Sequence, residues 1–128
     1  MLNKKILIIE DEAHILNALN KKFTMDGFNV LLANDGESGL VSATTNQPNV
    51  ILLDIIMPNM NGFEMLEKLR HNNFGKNIPV IILTNLDVKE DSFIKSITEY
   101  KVAFCLTKSN SSILEISRTV KEVLNIEN

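Results

Sequence analysis

The chain lacks most of the features that would send it out of the cytoplasm or onto nucleic acid. Its one cysteine, Cys105, has no partner for an internal disulfide, and an unpaired thiol fits a reducing compartment. No apolar run approaches the length of a membrane span: the longest, such as Ile6-Leu7-Ile8-Ile9 and Val80-Ile81-Ile82-Leu83, are far too short. The start, Met1-Leu2-Asn3-Lys4-Lys5, is basic, but the apolar run behind it meets Glu10-Asp11-Glu12 with no small-residue cleavage site, which is a poor secretion signal. Lysines and arginines are scattered and the formal charge is −3, so no basic stripe offers itself to nucleic acid or to an anionic membrane. Low-complexity segments, tandem repeats and internal linkers are also missing. What remains is 128 residues, 45% apolar and 23% charged, the profile of one globular domain over residues 1–128.

Within that length, five short apolar runs alternate with five longer segments of helical character. The runs cover 5–9, 28–33, 50–53, 78–83 and 102–106, and most are Ile, Leu and Val without polar alternation. Such runs suit strands buried on both faces of a parallel sheet. The segments between cover 13–25, 36–45, 62–70, 88–99 and 111–126. In the last of these Ile113, Ile116, Val120, Val123 and Leu124 share a face. Ser111 or Ser112 stands where a cap belongs, with Glu115 at the offset of a capping box. Asp26-Gly27 closes the first helix, and Asn34-Asp35-Gly36 leads into the second. A repeated β–α unit of this size predicts a doubly wound α/β domain with right-handed crossovers.

Sites in such sheets lie beyond the carboxyl ends of the strands. Those ends carry Glu10-Asp11-Glu12, Asn34-Asp35, Asp54, Thr84-Asn85 and Thr107-Lys108. Taken singly, each has an ordinary explanation. Asp11 or Glu12 favours a helix N-terminus, Asp54 suits a turn, Thr84 is a β-branched strand residue, and Lys108 is a solvated lysine. Together, at the edge where the first, third, fourth and fifth strands end, they describe a site. Clustered carboxylates need protons or a cation, and oxygen donors without nearby Cys or His favour Mg²⁺ or Mn²⁺ over zinc. A carboxylate can attack phosphorus to give an acyl phosphate, while a metal, a lysine and a hydroxyl neutralise the transferred group. Asp54 is the expected phosphoryl acceptor.

These residues resemble the receiver domain of two-component response regulators over essentially the whole chain. The family segment D-x-x-M-P-x-M-x-G is matched at every fixed position by Asp54-Ile55-Ile56-Met57-Pro58-Asn59-Met60-Asn61-Gly62. The resemblance implies a flavodoxin-like sheet of strand order 2-1-3-4-5 flanked by five helices. It also implies phosphate transfer to Asp54 from a histidine kinase or histidine phosphotransfer protein. Glu10 and Asp11 match the acidic pair, so Asp11, Asp54 and the backbone carbonyl of Ile56 would hold Mg²⁺, with Glu10 acting through a water. Thr84 matches the switch hydroxyl and Lys108 the lysine that pairs with the phosphoryl group. Positions two beyond Asp54 and two beyond Thr84 tune the lifetime of the phosphoryl group in the family; here they are Ile56 and Leu86.

The second half departs from the pattern. Asn85 replaces a small residue after the switch hydroxyl, and Ser109 replaces the proline after the lysine. Lys101-Val102 stand for the usual Gly-Ala, and Cys105 occupies the position of an aromatic switch residue. Phe104 is a poor substitute, because neighbouring strand residues face opposite ways. Cys105 itself reads as a packed thiol, and His14 and His71 as surface residues without ligand spacing. The expected function is a switch rather than an enzyme, with self-catalysed phosphoryl transfer and slow loss of phosphate. Its output partner would be met through the face of helix 4, strand 5 and helix 5, with no direct contact to nucleic acid or membrane. It would act either alone or as a receiver taken from a longer protein. The alternatives are a constitutive docking domain, motivated by the altered second half, and a small aspartyl-phosphate hydrolase. The latter is disfavoured by Ile56 where a second carboxylate belongs.

Overall fold

Strands without a polar face must pair with one another and be covered on both sides. In the computed structural model, which describes residues 3–86 and 91–126, these strands are β1 (Lys5–Ile9), β2 (Asn29–Ala33), β3 (Val50–Leu53), β4 (Val80–Thr84) and β5 (Phe104–Thr107). They pair in parallel in the order β2-β1-β3-β4-β5. The helices are α1 (Ala13–Met25), α2 (Gly36–Asn46), α3 (Gly62–Arg70), α4 (Asp91–Glu99) and α5 (Ile113–Val123), with a 3-10 turn, Lys108–Asn110, between β5 and α5. This is the expected fold class and strand order.

The differences from the sequence reading are at boundaries. β4 starts at Val80 because Pro79 has no N–H to give to a ladder, although its carbonyl still accepts the Ile51 N–H at 2.9 Å. β5 starts at Phe104, and α5 at Ile113 behind a capping box in which Ser112 and Glu115 satisfy each other's backbone N–H groups. The expected start of helix 4 at residue 88 lies outside the described residues.

Alternation along the strands divides the core in two. Leu7, Ile9, Ile51, Leu53, Val80 and Ile82 face Ala43 of α2, Met65, Leu66 and Leu69 of α3, and Phe93 of α4. Ile6, Ile8, Val50, Leu52, Ile81 and Leu83 face Leu19 and Phe23 of α1 and Ile116 and Val120 of α5. Each fully buried side chain of this kind contributes about 1.5–3 kcal/mol relative to exposure, so the sheet is a firm base for whatever its upper edge carries.

One polar tie crosses the second layer. Ser117 of α5 is buried, and its hydroxyl donates to Asp26 Oδ2 at 2.8 Å, at the C-terminal end of α1. Lys22 and Lys121 lie 3.2 and 3.4 Å from the same carboxylate. Burial raises the Asp26 pKa, but the Ser117 hydroxyl and both ammonium groups outweigh it and hold the carboxyl below its ordinary range. Ser117→Ala is therefore expected to lower the unfolding free energy by about 1–3 kcal/mol, the cost of a lost bond to a charged group. Urea unfolding at neutral pH measures it, and an unchanged midpoint would mean that the tie contributes nothing.

Candidate functional site

The upper edge is built by chain segments leaving the strands. Glu10 follows β1, anchored by its N–H to the Ala33 carbonyl at 3.0 Å. Its Oε2 accepts the Glu12 N–H at 3.0 Å, which turns the chain into α1. Glu12 occupies the N-cap position of α1 but makes no side-chain cap bond, so its carboxylate reaches across the cleft instead. Asp54 follows β3, with its N–H on the Ile9 carbonyl at 3.0 Å and its Oδ1 accepting the Ile55 N–H at 2.7 Å. Gly62 makes this placement possible: a Cβ there would lie 2.5 Å from the Asp54 carbonyl oxygen and 2.7 Å from Ile55 Cα. The glycine lets α3 start hard against the Asp54–Ile55 segment, and the Asn61–Glu64 capping box fixes that start.

Lys108 closes the group from the far side. Its ammonium lies 2.8 Å from Glu10 Oε1, 2.9 Å from Asp54 Oδ2 and 3.1 Å from Glu12 Oε1. Glu10 and Asp54 are 2% and 3% exposed, so this is a set of desolvated charges rather than a surface ion pair. Three carboxylates against one ammonium leave an uncompensated negative charge. Among the described residues, one carboxylate oxygen each from Glu10, Glu12 and Asp54 lie within 4.8 Å of one another. Such a donor set suits a hard divalent cation. Burial pushes the Lys108 pKa down, but the hydrogen bonds its ammonium donates to Glu10 and Asp54, with the attraction of both charges, outweigh burial and move it up.

Glu10 moves in the direction that crowding demands. Burial, with the nearby Asp54 charge, pushes its carboxyl from 4.5 to about 7, against the pull of Lys108 and of the Glu12 N–H. A folded-state pKa above the unfolded one means that the folded chain holds the proton longer. Stability without metal should then be full below about pH 4.5 and fall as pH rises to about 7, by on the order of 1–3 kcal/mol. Denaturant unfolding in EDTA across that range tests this. Glu10→Gln should flatten the profile, and a Gln variant with the parent's slope would assign the titration elsewhere.

The cleft above these groups has a volume of about 230 Å³, and Asp11, Glu12, Asp54, Ile56, Thr84, Asn85 and Lys108 line it. Thr84, fully buried, ends β4 beside Thr107 of β5. Asp11 is exposed on the cleft wall, and its carboxylate is not part of the close cluster. Glu12 takes that place. The sequence reading placed Glu12 at the strand end with Glu10 and Asp11 but did not name it as a metal ligand; the signal available was its position as the third acidic residue in a row. Ile56 is 58% exposed at the rim. Leu86 is half-buried, packs toward the α3 and α4 side and is not among the lining residues. Cys105 is half-buried on the same side, and burial pushes its thiol up to about 11, so it is a protonated packing residue at neutral pH. Phe104 is 47% exposed and joins neither core layer. His14 and His71 are exposed.

Comparison with known proteins agrees with this geometry. The response regulator receiver domain family model matches residues 6–118. The alkaline phosphatase synthesis transcriptional regulatory protein PhoP of Bacillus subtilis is 34% identical over 93 residues, which are 73% of this chain but 38% of that longer protein. The receiver domain of a Francisella response regulator superposes with a TM-score of 0.84 at 32% identity, covering 96% of this chain and 98% of its own. The receiver domain of a Pseudomonas aeruginosa sensor histidine kinase, whose active-site cleft coordinates magnesium, has the same fold, with a TM-score of 0.83 at 21% identity over 95% and 98% of the two chains. Motif, sheet order, acidic cleft and family match converge, and the chain belongs to the receiver-domain family of two-component response regulators.

Proposed function

We propose that the chain, taken as one receiver domain over residues 1–128, is a phosphorylation switch whose acceptor is Asp54. The observation that carries this is the Asp54 carboxylate itself: 3% exposed, at a strand end, lining a cleft and 2.9 Å from the Lys108 ammonium. A carboxylate oxygen attacks the phosphorus of a phosphohistidine on a kinase or phosphotransfer protein. A new O–P bond forms, the N–P bond breaks, and the imidazole nitrogen leaves with the electron pair and takes up a proton. Lys108, freed from one of its three carboxylates, meets the charge that arrives on the phosphoryl oxygens, and the Thr84 hydroxyl binds another of them.

Glu10, Asp54 and either Glu12 or Asp11, with the Ile56 carbonyl, would hold Mg²⁺, or Mn²⁺ in its place. The fit rests on oxygen donors from three carboxylates within 4.8 Å of one another. Bound there, the ion supplies further neutralisation of the phosphoryl oxygens. Output belongs to the face of α4, β5 and α5, where Ile94, Phe104 and Leu114 leave apolar surface exposed. A cytoplasmic setting fits a single unpaired thiol, and no helix among the described residues is long and apolar enough to cross a membrane.

Incubation with Mg²⁺ and phosphoramidate or acetyl phosphate, followed by intact mass measurement, tests the reading. One stoichiometric phosphoryl addition, lost in EDTA, is expected. No addition would favour a constitutive docking domain, and multiple turnover of the donor would favour a hydrolase.

A further inference from the structure

We propose that Asn85 is a positioning residue for Lys108, acting through the backbone of the turn after β5; this rests on the acceptor reading above. Asn85 directly follows Thr84, and Ser109 directly follows Lys108. The Ser109 N–H donates to Asn85 Oδ1 at 2.9 Å. A single hydrogen bond thus joins the neighbours of the two groups that face Asp54 from the β4 and β5 side. Thr84 and Thr107 are partners in the β4–β5 register, so this bond extends the pairing beyond the strands, with a side-chain oxygen in place of a carbonyl.

The turn needs such an anchor. Lys108–Asn110 is a three-residue 3-10 turn whose N-cap, Thr107, makes no side-chain bond. The first N–H groups of a helical turn have no partner inside it, and Asn85 supplies one from the next strand. The anchor matters because Lys108 reaches the carboxylates on a long flexible stem. Where that stem begins decides how closely its ammonium can follow an incoming phosphoryl group. Misplacement by about 1 Å at a reacting centre can cost about a hundredfold in rate. The donor exists only because residue 109 is not proline, which has no N–H. The two departures from the receiver pattern, Asn85 and Ser109, are therefore two halves of one bond.

Asn85→Ala removes the acceptor, and Ser109→Pro removes the donor while leaving Asn85 in place. In the full chain with Mg²⁺ and phosphoramidate, each change is expected to slow phosphorylation about three- to tenfold, the range for one hydrogen bond. The double variant should be no slower than the slower single one, because both act through the same contact. A parent-like rate in either single variant, or multiplied losses in the double, overturns the proposal. If Asn85 acted on the phosphoryl group directly, Ser109→Pro would keep the parent's rate. The NMR signal of the Lys108 ammonium, recorded without any phosphodonor, should shift in both single variants, and a parent-like signal also overturns the role. A parent chain that gains no phosphate defeats the acceptor reading, and the ammonium signal then decides the positioning role by itself.

Discussion

Asp54→Asn is expected to abolish phosphoryl uptake completely while leaving the chain folded. The carboxylate now accepts the Ile55 N–H on Oδ1 at 2.7 Å and the Lys108 ammonium on Oδ2 at 2.9 Å. The single amide oxygen keeps one of these bonds, and removal of one clustered negative charge offsets the loss of the other. What it loses is the nucleophilic anion, for which the site has no good substitute. Glu10 is 2% exposed, does not line the cleft and holds its proton up to about pH 7. Glu12 is nearer to solvent, but its Oε1 is 3.1 Å from Lys108 and it sits on the helix entry rather than on the strand end. Intact mass after incubation with Mg²⁺ and acetyl phosphate reads the outcome. Full phosphate gain by the Asn variant would move the acceptor to another carboxylate, with Glu12 the first to examine. Circular dichroism of the same sample separates a lost nucleophile from a lost fold.

The sheet, its order and the buried carboxylate at the end of β3 were legible because each leaves a local signal. Unbroken apolar runs identify two-sided strands, and Asp54 breaks its run at the strand end where α/β sheets place their sites. Gly62 lies eight residues beyond Asp54, where α3 approaches that strand so closely that a Cβ would lie 2.5 Å from the Asp54 carbonyl oxygen. The Ser112–Glu115 capping box was equally visible, since it is a four-residue pattern. What escaped was set by side-chain reach. Glu12 joins the cluster because it enters α1 without capping it and because Lys108, 96 residues away, draws it inward. Nothing in a triplet of acids tells which of its members will turn toward the cleft. Likewise Asn85 and Ser109 were visible as departures but not as partners, because the bond between them exists only once β4 and β5 are adjacent. Leu86 shows the reverse: its offset from Thr84 suggests the rim, whereas its packing draws it toward the core.

The phosphorylated state is expected to be long-lived, and Ile56→Asn to shorten it by about ten- to a hundredfold. Hydrolysis of the acyl phosphate requires a water in line with the O–P bond on the side away from Asp54. Ile56 lines the cleft at its open side and is 58% exposed, so its branched apolar side chain stands beside that approach. It offers no hydrogen bond to hold a water at the attacking angle, and its bulk narrows the path. Positioning of a nucleophile is worth orders of magnitude in rate. An amide at the same place could accept from the water and donate to a phosphoryl oxygen, restoring that orientation. Leu86→Glu should accelerate loss much less, because Leu86 packs half-buried toward the α3 and α4 side and does not line the cleft. A time course of phosphate loss on purified protein, after removal of the donor, compares all three chains. Equal rates for the parent and Ile56→Asn would mean that apolar gating does not set the lifetime. A larger acceleration from Leu86→Glu than from Ile56→Asn would place the water's path on the β4 side instead. Should the order hold, the off-signal must come chiefly from elsewhere, by reverse transfer to the kinase or by a phosphatase that brings its own polar group to the water.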